Sequence, residues 1–142
     1  MRRIVHVAFA IALLAAGACH RATLGHGPSL PSGVNSAMLA QGDSLFHAGV
    51  CTRCHGPNGE GATNGPSLTD GPWLHSSGTV SDLTSVILAG IPRDEIREQS
   101  HRFQMNPRGG PMNLTTPQAK ALAAYVWSIS CRKTKEEKKD GG

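Results

Sequence analysis

The sequence predicts an all-α protein, three or four helices joined by long loops. Three observations carry that expectation. Apolar residues recur at helical spacing, most clearly at Ala119, Leu122, Val126 and Ile129. No stretch alternates apolar and polar residues as a half-buried strand would. The segments between the periodic stretches, 56–78 and 106–111, are rich in glycine and proline.

Taken in order, the chain opens with a cationic Met1-Arg2-Arg3 and an uncharged run from Ile4 to Ala18. This reads as a signal peptide over residues 1–18, too short and too rich in small residues for a membrane span. Two processing routes fit its end. Ala16-Gly17-Ala18 suits ordinary cleavage, and the same stretch ending on Cys19 resembles a bacterial lipoprotein box, with Ala16 where that box prefers leucine. On the second route Cys19 becomes the lipidated first residue. Residues 19–34 follow as a flexible tether, with three glycines, two prolines and two serines between His20 and Val34. His20 and His26 are solvated linker residues on this reading.

Residues 35–131 form the one folded unit. A first helix runs from Ser36 to His47, with Met38, Leu39, Leu45 and Phe46 as its apolar residues. Cys51 to His55 forms a short helical turn. Ser81 can cap a third helix through Ala89, with Leu83, Val86 and Ile87 on one face and Gly90 as the stop. Thr115 or Thr116 starts the last helix, with Pro117 in its first turn and Gln118 placed for a capping box. Residues 132–142 carry five basic and three acidic residues, and nothing there can be buried. They are expected to form a charged, disordered tail.

The formal net charge of +4 belongs to the ends. Between residues 35 and 131 six basic residues face seven acidic ones. Nucleic-acid binding wants a basic face on the domain itself and finds no support here. There is no Ser-His-Asp set, no phosphate loop and no evident pair of catalytic carboxylates, so nothing marks the chain as an enzyme.

The chemistry is concentrated in Cys51-Thr52-Arg53-Cys54-His55. Two thiols three positions apart, followed at once by histidine, is the pattern for covalent attachment of a c-type haem. Each sulfur adds to one vinyl group, and a single helical turn spans the two. The imidazole of His55 then lies under the iron as its proximal ligand. A redox dithiol would want a preceding strand and a βαβ context, and a zinc site a second donor pair. Cys19 and Cys131 are both isolated, and Cys131 is left either as a buried thiol or as a link between chains. A bound haem would also supply much of the core in a chain with 4% aromatic residues.

An electron carrier needs a second axial ligand. The chain after residue 18 offers Met38, Met105 and Met112. Met38 shares a helix with Leu39 and Leu45 and reads as core filler. Met105 and Met112 share the loop before the last helix, and the residues alone leave both open.

From about Met38 to Ser130 the chain resembles the class I c-type cytochromes, bacterial periplasmic mono-haem domains. The likeness rests on Gly42 and Phe46, Cys51-Thr52-Arg53-Cys54-His55-Gly56, Gly65-Pro66-Ser67-Leu68 and Gly71-Pro72-Trp73. It continues through Met105-Asn106-Pro107-Arg108-Gly109-Gly110, Leu114-Thr115 and Ala123-Ala124-Tyr125-Val126. It implies the cytochrome c fold around one covalent haem, with His55 and Met105 as axial ligands. Asn106 stands where the family has proline, so Met112 stays a competitor. Pro66 matches the proline whose carbonyl orients the proximal histidine. Trp73 is placed to donate its indole N–H to a haem propionate or to pack in the core. Arg53 and Arg108 are candidates for propionate pairing or for solvation. Gly42 and Phe46 against Tyr125 match the family's contact between first and last helices. The expected function is single-electron transfer outside the cytoplasm between redox protein partners. The alternative is a relay subunit of a larger membrane-associated or periplasmic oxidoreductase. The expected location is periplasmic, tethered to the membrane through Cys19.

Overall fold

The structure, a computed structural model, describes residues 29–70, 72–98 and 100–139. The signal peptide, Cys19, most of the tether, Gly71 and residues 140–142 lie outside the described residues. Four α-helices follow one another: α1 Ser36–Ala48, α2 Cys51–His55, α3 Val80–Ala89 and α4 Thr116–Lys139. Two 3-10 segments, Arg93–Glu95 and Pro107–Met112, break the long connection between α3 and α4. The described residues contain no strand; two isolated bridges, Ala62 with Gly65 and Ile91 with Met105, stand in for sheet. The expected all-α fold is the one observed.

The helix ends follow their caps. Asn35 caps α1, its Oδ1 accepting from the Met38 N–H at 2.9 Å. At α4 the Gln118 side chain reaches back to accept from the Thr115 N–H at 2.9 Å, the Gln half of a capping box. The α3 cap is Thr79 and not Ser81. Thr79 Oγ1 accepts from the Asp82 N–H at 3.2 Å, and Asp82 Oδ2 accepts from the Ser77 N–H at 2.5 Å. The acid three residues after Thr79 thus reaches back past the cap and ties the helix start to the loop before it.

α4 packs against both α1 and α3, and this decides its composition. The expected stripe of Ala119, Leu122, Val126 and Ile129 is buried, but so is every residue from Ala121 to Trp127. A helix covered on two sides needs apolar residues nearly all round. Small residues let the neighbours close in. Gly42 of α1 meets α4 where a Cβ would overlap the Ala121 carbonyl oxygen and stand 2.7 Å from Tyr125 Cβ. Phe46, one turn further along α1, is 1% exposed and stacks obliquely on Tyr125 with ring centroids 5.5 Å apart. These are the helix contacts that the sequence placed at Gly42, Phe46 and Tyr125.

α4 runs on to Lys139, where a disordered tail was expected from Arg132. The physical reason is compositional. Arg, Lys and Glu are good helix formers, so the segment can continue the helix. No described helix is long and apolar enough to cross a membrane.

Candidate haem site

α2 is a single turn, and the chain on either side of it is built to hold it. Gly56 ends the turn at φ 80°, its N–H donating to Thr52 at 3.0 Å. The loop that follows folds back at once. The Gly61 N–H donates to the His55 carbonyl at 2.7 Å, and Ala62 and Gly65 exchange backbone hydrogen bonds of 3.0 and 3.2 Å. On the α1 side, His47 Nε2 donates to the Pro57 carbonyl at 3.0 Å. Gly65 then lies directly on Cys54: a Cβ there would be 2.7 Å from the Cys54 carbonyl oxygen. That close approach brings the next residue to the histidine. His55 Nδ1–H donates to the Pro66 carbonyl at 2.9 Å.

This hydrogen bond has a chemical consequence. It fixes the tautomer and leaves Nε2 as the bare nitrogen, the arrangement of most metal-ligating histidines. Burial pushes the His55 imidazole below its ordinary pKa, with His101 adding to the effect and the Pro66 carbonyl opposing it. The neutral, ligating form is thereby favoured. Cys51 and Cys54 are half-buried free thiols on the same turn. Burial, and less strongly Cys54, hold the Cys51 thiol above its usual pKa, against a backbone hydrogen bond that lowers it. A catalytic dithiol would be lowered instead. Among the described residues no three His, Cys, Asp or Glu side chains gather to hold a bare metal ion. The donors present therefore suit a haem better than zinc or dithiol chemistry. Around the core cluster, Cys51, Leu68, Trp73, Met105 and others are only partly buried, apolar surface that a large flat apolar body would cover.

The other predicted residues divide clearly. Met105 is half-buried at the edge of the core. Its backbone pairs with Ile91 in both directions, at 2.8 and 3.1 Å. The sulfur of Met112 is packed on Gly49, where a Cβ would overlap it and stand 2.5 Å from Cε. Met38 lies at the core edge beside Leu39, as filler. The Trp73 indole rests against Gly78 and the core cluster. Arg108 Nη1 donates to the Leu114 carbonyl at 2.8 Å, and the Leu114 N–H returns to Arg108 at 2.9 Å. Arg108 makes this clasp from φ 54°, a left-handed conformation uncommon for a residue with a side chain. Arg53 is exposed, and His75 and His101 are half-buried in the loops before and after α3.

Sequence reasoning missed the work of Gly65 and of Ile91. The first is visible as Gly before Pro, a turn signal whose close approach to Cys54 only the fold reveals. The second pairs across fourteen residues and leaves no local signal.

A helical domain that presents two free thiols and a tautomer-fixed histidine on one turn is a c-type haem domain. Residues 39–130 match the family described as Cytochrome c, and the chain belongs to it. It is 33% identical over 97 residues to the Cbb3-type cytochrome c oxidase subunit CcoP of Azospirillum brasilense, a match covering 68% of this chain and 32% of that one. It is 31% identical over 113 residues to the CcoP subunit of Rubrivivax gelatinosus, covering 72% of this chain and 30% of that one. The chain thus spans about a third of the length of these relatives. Among solved structures it is similar to cytochrome cL of Methylophaga aminisulfidivorans, with 24% identity, a TM-score of 0.48, and coverage of 77% of this chain and 71% of that one. As a member of this family the chain binds haem c covalently and carries electrons.

Proposed function

We propose that the domain passes single electrons between redox proteins outside the cytoplasm, and is itself no enzyme. Cys51 and Cys54 anchor the haem as thioethers, His55 is the proximal iron ligand and Met105 the distal one. The observation that carries this reading is the 2.9 Å hydrogen bond from His55 Nδ1 to Pro66, which leaves Nε2 bare on the same turn as two free cysteines. Bound haem supplies a one-electron ferric–ferrous couple, with no bond made or broken at the centre. The chain supplies everything else. Pro66 holds the imidazole in orientation. The Ile91 pairing holds the backbone of Met105, and a thioether opposite histidine raises the potential. Trp73 and the Arg108 nitrogens not used on Leu114 would supply hydrogen-bond donors to the haem propionates. Residues 1–18 export the chain, and Cys19 tethers it to the membrane as a lipoprotein through residues 20–34.

Acid–acetone extraction and an absorption spectrum test the reading together. The colour should stay with the protein, and ferric protein should show the weak red-edge band of sulfur–iron bonding. Haem that extracts freely would sink the proposal. Labelled fatty acid should appear in the exported protein and vanish in Cys19→Ala.

A second reading has its own support. The matched relatives are oxidase subunits, and the matched segment makes up about a third of each. On this reading the domain is an internal relay of a larger oxidoreductase. Solubilised membranes decide between the two: a relay co-purifies with a large oxidoreductase, and a free carrier elutes alone.

A further inference from the structure

Gly90 closes α3 at φ 71°, its N–H donating to Val86 at 2.8 Å. Taken alone this is a glycine helix stop. Its surroundings show more. The next residue, Ile91, exchanges backbone hydrogen bonds with Met105. The open side of Gly90 faces the same loop. A Cβ at position 90 would overlap the Met105 carbonyl oxygen, and would stand 2.7 Å from Pro107 N and 2.9 Å from Pro107 Cδ. These are main-chain and ring atoms, and none can rotate aside. Main chain lies on main chain, on both sides of the residue that bears the thioether.

We infer that Gly90 is a positioning residue for Met105. Its bare Cα is the seat on which the ligand loop rests, and it sets how far the thioether reaches toward iron. The inference rests on Met105 being the distal ligand. A methyl group at the seat would push the Met105 carbonyl outward by on the order of 1 Å, given ordinary contact distances. The Ile91 pairing would part, and a weak ligand bond would go with it. A helix stop alone predicts something different, lower stability with an unchanged iron site.

Three variants of the haem-loaded protein separate these outcomes: Gly90→Ala, Met105→Ala and Gly33→Ala. Gly33 also has a left-handed φ, 75°, but a Cβ there meets only the Lys120 Nζ at 3.7 Å. It shares the positive φ without the collision. Gly90→Ala should keep covalent haem and helix content, lose at least half of the ferric sulfur–iron band, lower the midpoint potential and let the ferrous form bind carbon monoxide. Met105→Ala should do the same in full, and Gly33→Ala should do none of it. A Gly90→Ala protein with the full band and native potential, beside a Met105→Ala protein lacking both, overturns the seat. A Met105→Ala protein that keeps the band overturns the ligand assignment, and the seat with it. Should Gly90→Ala fail to mature, hydrogen exchange on the native protein decides. The Ile91 and Met105 amides should lose protection in step with the band on heating, and a band that outlives their protection refutes the inference.

Discussion

Gly42→Ala sets two effects of opposite sign against each other. In a helix interior, alanine is better than glycine by roughly 0.5–1 kcal/mol. Propensity alone therefore predicts a more stable protein. The packing predicts the reverse. A Cβ at position 42 overlaps the Ala121 carbonyl oxygen and stands 2.7 Å from Tyr125 Cβ and 2.8 Å from the Ala121 carbonyl carbon. Two of those atoms are backbone of α4, held by the packing of α3 on its other side. Relief requires α1 to lift away, which also opens the pocket of Phe46. Overpacking a tight core costs about 1–3 kcal/mol, and rigid opposing atoms place this case near the top. The net loss is then about 2 kcal/mol, or about 8–16 °C in Tm at 4–8 °C per kcal/mol for a domain of this size. Thermal melts of the ferric protein, followed at a helix band and at the haem band, measure it. A Gly42→Ala protein that melts at or above the wild-type temperature would refute the argument and show the two helices to be less closely seated.

Three further outcomes are expected. Met112→Ala should leave the ferric sulfur–iron band untouched, because its sulfur is already packed on Gly49; loss of the band would move the ligand from Met105 to Met112. Thr79→Ala should destabilise the protein by about 1 kcal/mol, the usual worth of an N-cap, and Ser81→Ala by much less, a contrast that denaturant titration can resolve. Asp82 has its pKa lowered by the Ser77 backbone and side-chain hydrogen bonds, so its stabilisation is present above the unfolded-state value and is lost as pH falls through the folded one. Stability measured from pH 6 down to pH 2 should therefore fall less steeply in Asp82→Asn; identical slopes would remove Asp82 from the acid limb.

The helices were largely legible because caps and apolar spacing are local. Thr115 with Gln118, and Gly90, mark ends that a reader of the sequence can find. The haem turn was legible because its chemistry requires adjacent residues. Long-range contacts left no such mark. The burial of α4 on nearly all sides depends on two neighbours that meet only in the fold. The left-handed Arg108 is sustained by its clasp with Leu114, six residues away, and no local preference announces it. The same holds for Ile91 opposite Met105. Thr79 was passed over for Ser81 because the deciding partner, the Ser77 N–H, lies before the helix rather than in it.

The acceptor facing His55 is a peptide oxygen. A carboxylate in that place would carry a charge and could gain a proton, and the electron density on the imidazole would then drift with acidity. A peptide oxygen has no proton to gain over the range in which proteins stay folded. The push it gives the ring is constant, and it survives replacement of the Pro66 side chain because every residue brings the same carbonyl. Any tuning of this domain's potential has to be written elsewhere: in the opposite ligand, in the polar edge, or in how much water reaches the ring.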